Sequence, residues 1–70
     1  DEKERAVWKA LSSLEEKFRL PIVLRYFHEL PIAEIAEIMN INEGTVHSRL
    51  HSARQRLQTE LKSNLAEDLS

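Results

Sequence analysis

The sequence predicts an all-α domain of four helices without strands, organised around a helix-turn-helix at about residues 31–54. Three observations predict it. Only one Gly and two Pro occur in 70 residues, while the helix formers Leu, Glu, Ala, Arg and Lys are abundant. Apolar residues recur at helical rather than alternating spacing, most cleanly at Val46, Leu50, Ala53, Leu57, Leu61 and Leu65. A short apolar-faced segment, an Asn-containing turn and a longer periodic segment also follow one another from Ile32 onward. The β-branched residues are too scattered to make strands.

The first helix is predicted over about Glu2 to Leu11, with Ala6, Val7, Ala10, Leu11 and Leu14 at core spacing and Trp8 half buried beside them. Ser12 and Ser13 break that pattern, and either can cap the helix that follows. Glu15 and Glu16 then place acids in the first turn of helix two, where the helix dipole favours them. Helix two is predicted to run to about Phe27, with Phe18, Ile22, Leu24 and either Tyr26 or Phe27 facing inward. Pro21 lies inside it and removes the bond to the Lys17 carbonyl, which predicts a kink or a later effective start.

His28 to Pro31 form a short connection, and Pro31 suits the beginning of a helix. Helix three is short, with Ile32, Ile35, Ala36 and Met39 on one face. Asn40-Ile41-Asn42 is the turn: Asn tolerates a left-handed backbone at position 40 and is a good N-cap at position 42. Helix four carries the long apolar stripe, which Leu69 extends, and residues 63–70 form a C-terminal tail.

Length allows one domain, residues 1–70, of modest stability. With no cysteine, neither disulfides nor thiolate-zinc staples are available, and the setting that fits is cytoplasmic. No apolar run is long enough to span a bilayer, and no signal peptide precedes the first helix. The chain opens on Asp1 rather than Met, which suggests a piece of a longer protein.

A net charge of −2 argues against simple non-specific binding to nucleic acid, but the distribution matters more than the sum. Tyr26 to Ser48 contain four acids, Glu29, Glu34, Glu37 and Glu43, and no Lys or Arg. Arg49 to Lys62 contain four bases, Arg49, Arg54, Arg56 and Lys62, against Glu60 alone. Positive charge is thus concentrated late on one helix.

Opposite the line of Val46, Leu50 and Ala53 lie Gly44, Ser48, His51, Ser52 and Gln55. These short or hydrogen-bonding groups suit close approach to base edges in a major groove. His47 and Arg49 flank that face and, with Arg54 and Arg56, are placed to reach phosphates. Amides near Gly44 and Thr45 are further phosphate donors. Glu43 either accepts from a cytosine amino group or satisfies the helix dipole, and Gly44 either admits DNA closely or relieves crowding where helices meet. For Arg54 and Arg56 the plainer alternative is ion pairing, with Glu60 four residues beyond Arg56.

Other chemistries find little to rest on. His47 and His51 have a possible metal-ligand spacing but no third ligand, so no metal is expected. Glu34 and Glu37 read as a solvated face, and His28 as a surface or interhelix residue. There is no nucleophile triad, Gly-rich phosphate loop or nucleotide motif, so no enzyme activity, cofactor or small-molecule substrate is expected.

The stretch Leu11 to Leu61, LSSLEEKFRLPIVLRYFHELPIAEIAEIMNINEGTVHSRLHSARQRLQTEL, resembles region 4 of bacterial sigma factors of the extracytoplasmic-function group. LSSLEEKFR, VLRYFHEL, IAEIAEIMNI and above all EGTVHSRLHSARQRL carry the resemblance, which covers about three quarters of the chain. It implies a winged-helix-like helix-turn-helix of that type, binding of double-stranded promoter DNA at the −35 element, and docking on the flap of RNA polymerase. It also implies an anti-sigma factor as a possible second partner. Carried over by position, the recognition contacts fall on His47, Ser48, Arg49, His51 and Ser52. The chain departs from the family at His47 and Ser52, where relatives often carry a base, and at Pro21.

A different class of function is a protein-interaction module, in which the helix-turn-helix is a scaffold and Leu61, Leu65 and Leu69 face a partner. The net charge of −2 favours that reading, and the polar outer face of helix four favours DNA. A response-regulator output domain is a third option, which SRLHSARQRL fits less well.

Overall fold

The structure, a computed structural model, describes the backbone of residues 1–69 and the side chains of residues 1–62. Helix α1 spans Glu2–Ser12 and is started by Asp1, whose carboxylate accepts from the Glu4 amide at 2.9 Å. Its inward residues Ala10 and Leu11 are buried, while Trp8 stays 48% exposed. Ser12 and Ser13 do not cap the next helix. Both hydroxyls donate back to the Lys9 carbonyl, at 2.8 and 3.2 Å, and so close α1. A serine at a helix end reaches the carbonyl a turn behind it, which is otherwise left without an amide partner.

Helix α2 spans Glu16–Ile22, with Glu15 as an N-cap that makes no side-chain capping bond. Pro21 is buried within it, so the helix starts well before the proline. The irregularity appears just downstream, where Val23–Phe27 form a π-helical turn. The His28 amide bonds back to the Val23 carbonyl at 3.2 Å. The Leu30 amide reaches the Leu24 carbonyl at 3.1 Å. A π turn is wider than an α turn, so residues beyond it rotate away from the face that periodicity assigns. Tyr26 and Phe27, one of which periodicity places inside, are accordingly both outside, 54% and 48% exposed. Phe27 instead stacks on Trp8 with ring centroids 4.7 Å apart.

Glu29 turns the chain with φ at 55°. Helix α3 then covers Ile32–Met39 and ends at Asn40, which takes the left-handed conformation with φ 55° and ψ 48°. The Ile41 amide closes this corner on the Ala36 carbonyl at 3.0 Å. Helix α4 runs over Glu43–Leu69. It is started by Asn42, whose Oδ1 accepts from the Thr45 amide at 2.7 Å and the Thr45 hydroxyl at 2.9 Å.

Packing follows from the stripe on α4. Val46, Leu50 and Ala53 are fully buried in a cluster with Leu11, Phe18, Ile22, Ile35 and Ala36 from the other three helices and Leu14 from the α1–α2 connection. Leu57 packs half-buried against the same core, and Leu61 is half-buried. The side chains of Leu65 and Leu69 lie outside the described residues. No strand occurs among the described residues, so the helix-turn-helix carries no β-wing there. No helix among them is long and apolar enough to cross a membrane. The outcome is a long helix held on one side by three short ones.

Candidate nucleic-acid interface

At about 3.6 residues per turn, the buried positions Val46, Leu50, Ala53 and Leu57 fix which side of α4 faces out. Ser48 and Gln55 lie opposite that line and are exposed, with Gly44 and His51 on one side of them and half-buried Ser52 on the other. His47 and Arg54 occupy one flank of this face, and Arg49 and Arg56 the other. The side chains of His47, Ser48, Arg49, His51, Ser52 and Gln55 have no hydrogen bond or ion pair among the described residues.

The start of α4 is already partly committed. Thr45 gives both its amide and its hydroxyl to Asn42, so neither is left for a phosphate, contrary to the expectation from sequence. The Gly44 amide has no acceptor among the described residues. A Cβ on Gly44 would sit 3.3 Å from Asn42 Oδ1, so the glycine keeps the capping oxygen uncrowded. Glu43 is exposed in the first turn, where its charge faces the positive end of the helix.

The two later arginines are tethered. The Nε–H of Arg54 donates to the Tyr26 hydroxyl oxygen at 2.8 Å, and its guanidinium lies 5.8 Å from the Tyr26 ring centroid. Arg56 lies over the Phe18 ring at 4.4 Å, with the Lys17 ammonium 5.2 Å from the same ring. Arg56 therefore rests on α2 rather than pairing with Glu60. Of the residues that sequence places near phosphates, Arg49 and His47 have no side-chain partner among the described residues, and Arg54 and Arg56 are braced on aromatic rings.

Acids gather between α3 and the start of α4. An open groove of about 810 Å³ there is lined by Ala33, Glu34, Ala36, Glu37, Asn40, Ile41, Asn42 and Glu43. Its three glutamates repel a phosphate chain. Glu43 lies one turn before His47 on the same flank of α4, so the arginine-bearing turns farther along the helix are the part that attracts phosphate. No group of three or more His, Cys, Asp or Glu among the described residues is placed to hold a metal ion.

Sequence reasoning places Ser48, His51, Ser52 and Gln55 together, and the structure does the same. It misses Tyr26 as the partner of Arg54 and, although it has Trp8 half buried, the stacking of Phe27 on Trp8. No local signal reveals either, because both depend on how far the π turn rotates the chain.

Residues 4–57 match the family described as Sigma-70, region 4. Among characterised proteins, the chain is 39% identical over 61 residues to the ECF RNA polymerase sigma factor SigW of Bacillus subtilis, covering 87% of this chain and 33% of that protein. It is 37% identical over 68 residues to the RNA polymerase sigma factor SigV of the same organism, covering 97% and 39%. It is 36% identical over 61 residues to the ECF RNA polymerase sigma-E factor of Haemophilus influenzae, covering 87% and 32%. The chain thus spans about a third of the length of the curated relatives it matches.

Proposed function

The chain belongs to the sigma-70 region 4 family, and we propose that it reads a promoter −35 element by laying the outer face of α4 in the major groove. One observation carries this reading: a row of polar side chains without partners among the described residues, Ser48, His51, Ser52 and Gln55, stands on a helix whose opposite face is locked in the core. A fixed backbone carrying uncommitted donors and acceptors is what reading base edges requires. Gln55 offers a bidentate amide suited to adenine, His51 a donor suited to guanine, and the serines a hydroxyl that serves either.

Position on the duplex comes from the flanks. Arg49, His47 and the Gly44 amide approach phosphates, and Arg54 and Arg56 lie farther along the helix, braced by their aromatic partners. The acidic groove beside α3 and the net charge of −2 keep the isolated domain's affinity low. The remainder of a sigma factor and the flap of RNA polymerase would supply the rest of the binding energy in the cell, in the cytoplasm.

The test is selection from a pool of random duplexes at low and moderate salt, with the double variant Ser48→Ala/His51→Ala in parallel. The expected result is one short motif, weakened by salt and lost in the variant. If the wild-type chain selects no motif at low salt, stand-alone readout by α4 is wrong.

A second reading is a protein-docking module for polymerase or an anti-sigma factor. One observation favours it: Trp8, Tyr26 and Phe27 are half exposed, with Trp8 and Phe27 stacked at 4.7 Å. Tyr26 borders the outer face of α4 through Arg54, whereas the Trp8–Phe27 stack makes no contact of this kind with α4 among the described residues.

A further inference from the structure

The geometry points to Tyr26 as a positioning residue for DNA binding, one that sets Arg54 as a phosphate clamp at the edge of α4. The inference rests on the DNA-reading role of α4 and adds a residue from outside the helix-turn-helix.

The π turn Val23–Phe27 carries Tyr26 out of the core to the surface beside α4, where it meets a residue 28 positions away. The contact is a single hydrogen bond in which Arg54 Nε–H donates to the Tyr26 oxygen at 2.8 Å, while the guanidinium leans on the ring at 5.8 Å. Both partners are exposed, Tyr26 at 54%. A bond of this kind between exposed groups adds little to folding, because water replaces it readily when the chain opens. Its effect is on direction.

An arginine on a helix surface samples many rotamers, and binding a phosphate costs the freedom to do so. Anchoring Nε removes much of that freedom before DNA arrives. The N–H groups on Nη1 and Nη2 carry no hydrogen bond among the described residues and remain free to form a fork on phosphate oxygens. The oriented guanidinium presents a preformed anion site on the flank that also holds His47, about three helical turns along α4 from Glu43 of the α3 groove.

The test is a double-mutant cycle with Tyr26→Phe and Arg54→Ala in the 70-residue chain. Affinity is read on the selected duplex and on a scrambled one, each over a salt series. Arg54→Ala is expected to weaken binding about tenfold on both duplexes and to lower the salt slope by about one. Tyr26→Phe keeps the ring and removes the hydroxyl, and is expected to weaken binding about threefold on both, the scale of ordering one long side chain. In the Arg54→Ala background it should do nothing further, and thermal unfolding should not move.

A Tyr26→Phe variant that binds like wild type overturns the inference. So does a loss that persists undiminished without Arg54, or an Arg54→Ala variant whose salt slope is unchanged. Failure of base readout looks different: the selected and scrambled duplexes then bind alike, while the cycle is still read on either one at low salt. A chain that binds no duplex at all overturns both.

Discussion

The corners on either side of α3 make the same backbone move with different residues. Glu29 enters α3 and Asn40 leaves it, each with φ at 55°. At Asn40 the residue suits the conformation, since its short amide tolerates the left-handed region that most L-residues avoid. At Glu29 nothing in the side chain favours it. There the surroundings impose the turn: the Leu30 amide is held by the Leu24 carbonyl at 3.1 Å, and Arg25 Nη1 donates to the Leu30 carbonyl at 3.0 Å. One corner is encoded by its own residue, the other by the helix before it.

The largest change expected from breaking this comparison lies just past the encoded corner. Asn42→Ala removes the acceptor of the Thr45 amide and hydroxyl and should destabilise the domain by about 1–2 kcal/mol in urea unfolding. That is a large share of the stability of so small a domain. A loss below about 0.3 kcal/mol would show that the first turn of α4 holds without its cap.

Next in size is a contrast between the corners themselves. Glu29→Gly should stabilise by about 0.5–1 kcal/mol, because glycine adopts the left-handed backbone without steric cost, less the entropy it adds to the unfolded chain. Asn40→Gly should move stability by no more than a few tenths of a kcal/mol, since Asn already fits. Equal effects at both sites, read by thermal unfolding, would erase the distinction drawn between them.

At Gly44→Ala two opposing effects nearly cancel. Helix propensity favours alanine by up to about 1 kcal/mol. The new Cβ meets the capping oxygen at 3.3 Å, which opposes that gain. The net change should fall within about 0.5 kcal/mol of zero. In an Asn42→Ala background the crowding is gone, and the same substitution should then stabilise.

The same contrast marks how far the sequence could be read. Residues that act locally were legible: Asn40 and Asn42 at the turn, the buried line of Val46, Leu50 and Ala53, and the polar row of Ser48, His51, Ser52 and Gln55 opposite it. Features set by the accumulated path of the backbone were not. Pro21 announced an irregular helix but not that it would surface as a π turn from Val23, and that turn decides where Tyr26 and Phe27 point. The sequence offers Arg54 and Arg56 as phosphate contacts or ion-pair partners, whereas their aromatic braces come from α2 and its π turn, distant in sequence. The sequence offers Ser12 and Ser13 as caps of the helix that follows, whereas both bond backward to α1.

The central claim is that the outer face of α4 meets the bases, and chemical-shift mapping of the chain titrated with its selected duplex tests it most directly. The account predicts the largest shifts at Ser48, His51, Ser52 and Gln55, smaller ones at Arg49 and Arg54, and little change at Trp8 and Phe27. Shifts concentrated on Trp8 and Phe27, with the outer face of α4 unmoved, would contradict it.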